Sequence, residues 1–324
     1  MKRYRAAVVG LGAIGLGFDA DAPPGERVQT HSRAFSEHPG FELVAGADPA
    51  PEARSRFTAR YGAHAYATLD ALLAVQQVDV IAIAAGTSAH RGLVERSVAA
   101  RPRAILCEKP LAPDARDGVA MVEAAAREGV LLAVNYNRRF DPGIAELRAR
   151  LDAGEFGEIR KGVVWYAKGL ANNGSHYLDL LDHLLGEARD PRLVRPGRRL
   201  ANGDIEPDFV VHFGDAPVYF LAGRHEDYSH GGFDLFGSKG RIQYDAGGRD
   251  VRTWLGAQDA EFSGYVTLRE TPNLARNDVE RYQWHVACAL HAALESGMPP
   301  VSTGASALRS LRLVDALNME IPAR

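Results

Sequence analysis

The sequence predicts an α/β protein: an N-terminal doubly wound parallel sheet, then an α+β part with an open, mainly antiparallel sheet. Three observations predict it. A glycine-rich turn, Gly10-Leu11-Gly12-Ala13-Ile14-Gly15, follows a short apolar run. Strand-like and helix-like segments then alternate to about residue 135, the pattern of a parallel sheet covered by helices. Beyond about residue 137, strand-like runs succeed one another without helices between them, which builds an antiparallel sheet. The division is 1–136 and 137–324, with the last helix free to pack back on the first part. A length of 324 residues suits about two domains.

In order, 5–9 is a short strand that stops at the glycine turn, and 41–47 is a second strand ending at Asp48. Residues 51–61 have helical composition, and 70–75 is a short helix opened by Asp70 as its cap. The apolar run 78–84 is a buried strand and 90–100 a helix; 104–107 is again a buried strand. Helix 114–128 ends at Gly129, and strand 130–135 closes the series. In the second part, 141–153 is a helix with Pro142 near its start, 159–167 a long strand, and 174–185 a helix stopped by Gly186. Strands follow at 209–213, 218–222, 233–236 and 241–244, with Gly237-Ser238-Lys239-Gly240 as a hairpin turn. Residues 189–199, rich in Pro and Arg, read as a connection, and helices over 281–295 and 305–319 complete the chain.

Composition narrows the function classes. Hydrophobic residues make up 46% and charged residues 24%, as in ordinary globular proteins. A net charge of -3 argues against a nucleic-acid partner. No apolar stretch approaches the roughly 20 residues that span a bilayer, so no membrane partner is expected. The basic start, Met1-Lys2-Arg3-Tyr4-Arg5, precedes an apolar run, but Gly10, Gly12 and Gly15 break that run and no cleavage pattern follows, so it is not read as a signal peptide. Cys107 and Cys288 cannot build a disulfide framework and read as reduced thiols of a cytoplasmic protein.

The chemistry gathers at strand ends, where open parallel sheets bind ligands. Between a strand and a helix, Gly10 permits the tight turn, Gly12 lets the backbone approach a pyrophosphate, and Gly15 allows close packing. Ala13 and Ile14 then open the helix whose amides face the phosphates. Asp48 suits the adenosine ribose hydroxyls and repels a 2′-phosphate, which favours NAD over NADP. It lies further along than the usual spacing of about 20 residues. The excess, 18–30, holds Asp19, Asp21, Pro23, Pro24 and Gly25, and reads as a lid or as a solvated loop. Glu108-Lys109-Pro110 follows the strand 104–107, where an ammonium suits a substrate oxygen beside the nicotinamide. Asn135 and Asn137 follow the last strand of the series and suit substrate hydroxyls or the nicotinamide amide. Arg138 and Arg139 suit a carboxylate or phosphate, or an ion pair between domains. Lys168, just before Asn172-Asn173-Gly174-Ser175-His176, is a further candidate for substrate contact. His176, Asp179 and His183 stand at helical spacings a metal could use, but no second cluster completes a site and no metal is expected.

These residues carry a resemblance to the Gfo/Idh/MocA oxidoreductase family. It rests on the turn 10–15, Asp48, His90, Glu108-Lys109-Pro110, Arg139-Phe140-Asp141-Pro142, Asn173 to Asp179 and Gly237 to Ile242. The resemblance implies a Rossmann domain joined to an open sheet, and hydride transfer between NAD and a ring hydroxyl of a sugar, sugar derivative or cyclitol. It implies Lys109 and His176 as the catalytic pair. A histidine titrates near neutrality and suits the hydroxyl proton. Lys109 would stabilise the developing charge on the oxygen. Asn172, which stands where the family often has aspartate, and Asp179 would position neighbouring hydroxyls. Thr87, His90 and Glu108 join the expected cofactor contacts, Tyr282 and Gln283 return toward them, and a homodimer or homotetramer is expected. Two other functions fit the same residues: a cofactor-binding regulator without catalysis, and an enzyme whose bound NAD cycles without release.

Overall fold

The computed structural model describes residues 3–321, so the basic start at Met1-Lys2 lies outside the described residues. It divides into two compact units. One comprises the chain up to Phe140 together with Glu280–Leu311, the other Asp141–Val279 with the residues from Arg312 onward.

The first unit alternates strand and helix. Its elements are β1 (Tyr4–Val9), α1 (His31–Glu37), β2 (Phe41–Ala47), α2 (Pro51–Tyr61), β3 (His64–Tyr66), α3 (Leu69–Leu73), β4 (Val80–Ile83), α4 (His90–Ala99), β5 (Ala104–Cys107), α5 (Ala115–Arg127) and β6 (Leu131–Val134). All strand pairs are parallel, in the order β3-β2-β1-β4-β5-β6. The order reverses between β1 and β4, the switch point at which such sheets bind ligands. Alternate residues of each strand enter two cores. Ala7, Val9, Ile81, Ile83, Ile105 and Val134 face α4 and α5. Ala6, Val8, Val80, Ala82 and Leu106 face α1 and α2. Burial on both faces explains why β4 and β5 are continuous apolar runs. Asp114 caps α5 by accepting a hydrogen bond from the Asp117 amide at 2.9 Å.

The second unit opens with α6 (Pro142–Asp152), capped by Asp141, whose Oδ1 accepts from the Gly143 amide at 3.0 Å. There follow β7 (Ile159–Tyr166), α7 (Ser175–Leu185), β8 (Ala188–Arg195), β9 (Asp208–Phe213), β10 (Ala216–Ala222), β11 (Gly232–Gly237), β12 (Gly240–Asp245), β13 (Asp250–Gln258), β14 (Val266–Leu268) and β15 (Asn273–Leu274). The sheet runs β14-β13-β12-β11-β7-β10-β9-β8, with β15 beside β13. Only the β7–β10 pair is parallel among the described pairs. One face packs Val164, Tyr166, Phe209, Phe220 and Leu235 against Leu178, Leu181 and Leu184 of α7. The other face leaves Trp165, Tyr219 and Phe236 exposed.

The chain's last helices are α8 (Tyr282–Ser296) and α9 (Gly304–Glu320). Val286, Ala287 and Leu290 of α8 and Ala307, Leu308 and Leu311 of α9 enter the first unit's cores. Val314 and Leu317 of α9 enter the core of the second.

Three expectations are corrected. Residues 189–199 are not a mere connection, because β8 occupies most of them as an edge strand. The cap of α3 is Thr68, whose hydroxyl accepts from the Ala71 amide at 3.1 Å, not Asp70, which lies inside the first turn. After the glycine turn there is only a five-residue π-type turn, Ala13–Gly17, before the insert, and α1 starts afresh at His31.

Candidate functional site

In the first unit the site is set by backbone. Gly10 has φ +96°, and a Cβ there would lie 2.6 Å from the Ala84 carbonyl carbon, just past β4. A Cβ on Gly15 would lie 1.9 Å from the Gly10 oxygen. Gly12 has nothing within 4 Å of its Cβ position. The turn is therefore closed on its protein side and open at Gly12, which fits a pyrophosphate approaching there. Asp48, at the end of β2, receives the Leu11 amide on Oδ2 and the Ala50 amide on Oδ1, both at 2.8 Å. Its orientation is thus tied to the glycine turn. The Nη1 of Arg54 is held by the Asp48 and Pro49 carbonyls, at 2.9 and 2.8 Å.

Beyond β5, Glu108 is buried and gathers three donors. Its Oε1 faces His31 Nε2 at 2.8 Å and receives Asn135 Nδ2 at 2.6 Å, and its Oε2 receives the Lys109 amide at 3.2 Å. Burial pushes its pKa up, but the bond and charge of His31, the Asn135 amide and the Lys109 charge outweigh that and hold it below the usual range. The carboxylate fixes the backbone from which the half-buried Lys109 projects. Asn135 is 2% exposed, and its Oδ1 has no hydrogen-bond partner, so one buried acceptor remains beside Glu108 for a ligand.

His90, an expected cofactor contact, has both ring nitrogens against backbone carbonyls. It is fully buried, with Nε2 3.0 Å from the Ala85 oxygen and Nδ1 3.1 Å from that of Pro110 and 3.2 Å from that of Leu111. It ties the loop after β4 to the loop after β5. Thr87 lies half-exposed in the turn Thr87–Ala89 after β4. Arg138 and Arg139 lie in a 3-10 turn, Asn137–Phe140; Arg139 is buried and donates to the Val301 carbonyl at 3.2 Å, within the same unit.

The insert is tied down at its base. Asp19, 1% exposed, receives the Gln29 and Thr30 amides on Oδ2 at 2.7 and 2.9 Å, and the Thr30 hydroxyl on Oδ1 at 2.8 Å. Arg33 donates to the carbonyls of Asp19, Ala22 and Pro23. The amide of Val28 donates to the Glu280 carbonyl, and that of Gln283 to the Val28 carbonyl. What the insert delivers is His31, the first residue of α1, which sequence reasoning missed because its partner lies 77 residues away.

In the second unit the candidate residues lie on a loop and a helix start after β7. Lys168 has φ +68° and Gly169 φ +92°. Leu170–Gly174 is a π-type turn running into α7, where His176 and Asp179 are buried and share a face. Two carboxylates from the β8–β9 connection hold this loop. Asp204 receives the Ala171 and Asn172 amides at 3.1 and 3.0 Å. Glu206 receives those of Lys168 and Gly169 on Oε1 at 2.8 and 3.2 Å, and Arg198 Nε on Oε2 at 2.7 Å. Asn172 is exposed, and its amide nitrogen closes the loop on the Lys168 carbonyl at 3.1 Å. Asp204 and Glu206 carried no signal in the sequence. Among the described residues no three His, Cys, Asp or Glu side chains are grouped to hold a metal ion. Among them, too, no helix is long and apolar enough to cross a membrane.

Comparison with known proteins agrees with this architecture. Residues 4–136 match the family model described as oxidoreductase family, NAD-binding Rossmann fold. Among curated relatives, an inositol 2-dehydrogenase of Rhizobium meliloti is 35% identical over 40% of this chain and 39% of its own length. A D-apiose dehydrogenase of Paraburkholderia graminis is 30% identical over 65% of this chain and 58% of its own. The chain thus spans less than two thirds of the length of these relatives. Among solved structures, the aldose-aldose oxidoreductase of Caulobacter crescentus has a TM-score of 0.78 at 21% identity, covering 98% of this chain and 97% of that one. The WlbA dehydrogenase of Bordetella pertussis, in complex with NADH and UDP-GlcNAcA, has a TM-score of 0.77 at 20% identity, covering 99% and 96%. At that identity the likeness concerns the fold. With the glycine turn at the switch point and Glu108-Lys109-Pro110 after β5, the matched stretch, residues 4–136, belongs to the Gfo/Idh/MocA oxidoreductase family.

Proposed function

We propose that the protein is an NAD-dependent dehydrogenase that moves hydride between nicotinamide and a ring secondary alcohol of a sugar, sugar derivative or cyclitol. The observation that carries this reading is the first unit's switch point. There a turn whose Gly12 faces open space stands beside Asp48, and Lys109 projects from a backbone fixed by the buried Glu108 carboxylate. Gly10, Gly12, Ala13, Ile14 and Gly15 would hold the pyrophosphate and Asp48 the adenosine ribose. When bound, the nicotinamide supplies the hydride acceptor or donor. Lys109 holds the substrate oxygen and stabilises its developing charge. His176 takes or returns the hydroxyl proton. Asp179 and Asn172 serve neighbouring hydroxyls, and Lys168, Arg138 and Asn135 are further substrate contacts.

NAD is preferred over NADP because the Asp48 carboxylate repels a 2′-phosphate and Arg54 Nη1 is held by backbone carbonyls. A homodimer or homotetramer is supported by the outer face of the second unit's sheet, where Trp165, Tyr219 and Phe236 are 43–45% exposed. The deciding experiment is a screen for NAD reduction across free sugars, cyclitols, sugar acids and nucleotide sugars. Turnover with at least one class is expected, with kcat/KM higher for NAD than for NADP. NAD binding without turnover on any class would reject the enzymatic reading in favour of a regulator.

A further inference from the structure

A cleft of about 380 Å³ lies in the second unit, lined by Arg195 to Arg198, Glu206, Asp208 and Ala222 to Arg224. Its size falls within the range of small-molecule sites, roughly 300–1,000 Å³. Three arginines and two acidic residues line it, and the commitments of their side chains differ. Glu206 is buried and fully engaged, with the Lys168 and Gly169 amides on one oxygen and Arg198 on the other. Asp208 receives the Ala222 amide at 2.9 Å. Arg198 forms part of the wall, its Nε on Glu206 and its other two nitrogens on the two oxygens of Glu226, at 2.8 and 2.7 Å. The side chains of Arg195 and Arg224 make no hydrogen bond, ion pair or ring contact among the described residues. The donors left for a ligand are therefore the guanidiniums of Arg195 and Arg224, beside an Asp208 carboxylate that carries a single amide.

We propose that this cleft is an oxyanion site that takes a phosphoryl group between Arg195 and Arg224. Two planar forks offer more donors than a single carboxylate can accept, and they match the oxygens of a phosphate or diphosphate. The site adjoins the histidine loop through one side chain. Glu206 lines the cleft and also carries the amides of Lys168 and Gly169, so whatever presses on the Arg198–Glu206 wall is felt where the loop leaves β7. The phosphoryl group is carried either by the substrate or by a free phosphate compound; the first source rests on the dehydrogenase reading, the second does not.

The test is calorimetric titration of inorganic pyrophosphate into protein saturated with NAD, so that the glycine turn is already filled; NAD binding is read in a separate titration. One saturable site is expected in the wild type. Its affinity should fall roughly tenfold or more in Arg195→Ala/Arg224→Ala, the loss expected for charge-assisted bonds. That variant should melt with the wild type, because neither side chain is engaged in the fold. Absence of saturable binding, or equal affinity in the variant, overturns the proposal whatever the outcome of the sugar screen. Competition of pyrophosphate with the turned-over sugar identifies the group as the substrate's own. A change in kcat without competition identifies a free ligand. Either supports the site.

Discussion

The glycine turn of the first unit and the histidine loop of the second both follow strand ends, yet they are held by different means. The turn is fixed mainly by contacts too short for any side chain, such as the Gly15 Cβ position 1.9 Å from the Gly10 oxygen, with one amide, that of Leu11, on the Asp48 carboxylate. The loop is fixed by two acidic side chains, Asp204 and Glu206, which receive four of its backbone amides. Steric fixation is written in residue type and survives changes of charge. Fixation by carboxylates depends on ionisation and on residues elsewhere in the chain. The two regions should therefore fail differently when perturbed.

The largest expected effect is chemical. Lys109→Met should lower turnover by about two orders of magnitude or more, with NAD affinity kept, because only the group at the substrate oxygen is lost. Turnover near the wild-type rate would remove Lys109 from the reaction. Next come the glycines. Gly15→Ala should cost about 1–3 kcal/mol of stability, the usual range for overpacking, and should abolish NAD binding. Gly12→Ala should leave the melting temperature alone, since its Cβ meets nothing within 4 Å, yet weaken NAD binding. Equal melting losses in the two variants would contradict the idea that one side of the turn is closed and the other open.

This contrast also explains what was legible from sequence. The glycine turn, β1, β2, β5 and α2 lie close to their expected places, because they depend on local spacing and apolar runs. β8 was hidden because it is an edge strand whose residues are mostly exposed, with Pro191 where the pairing with β9 shifts register. β14 was hidden because all three of its residues are exposed and leave no alternating pattern. The carboxylates of Asp204 and Glu206 reach amides 32 to 38 residues earlier, a separation at which one sequence shows no pairing. His31 was hidden likewise, because its partner Glu108 lies 77 residues away.

Breaking the carboxylate support should give a smaller and more selective loss. Glu206→Ala leaves the Lys168 and Gly169 amides without their acceptor, and should cost about 1–3 kcal/mol. It should raise KM for the sugar while NAD affinity stays the same. Glu206→Gln keeps an acceptor oxygen and should recover most of the stability. A matching loss of NAD affinity in Glu206→Ala would show that the two regions are not independent.

The smallest effect is a pH dependence seated in the first unit, at a buried histidine away from the glycine turn. His38 is buried against Phe41, Trp284 and His291, and its Nδ1 accepts the Gly40 amide at 3.1 Å. Burial, then the neighbouring His291, lower its pKa from the ordinary 6.5, so the folded state favours the neutral ring. Protonation would also remove the lone pair that accepts the Gly40 amide. The unfolded chain thus binds more protons just below pH 6.5, and stability must fall as pH drops through that value. Glu108 acts later. Its pKa lies below the ordinary 4.5, so its contribution persists above that value and is lost only as pH falls further. Urea midpoints should therefore decline in two steps, the first absent from His38→Gln and the second retained in it. A midpoint that stays flat from about pH 7 to about pH 5.5 would mean that His38 takes up its proton as readily in the fold as outside it.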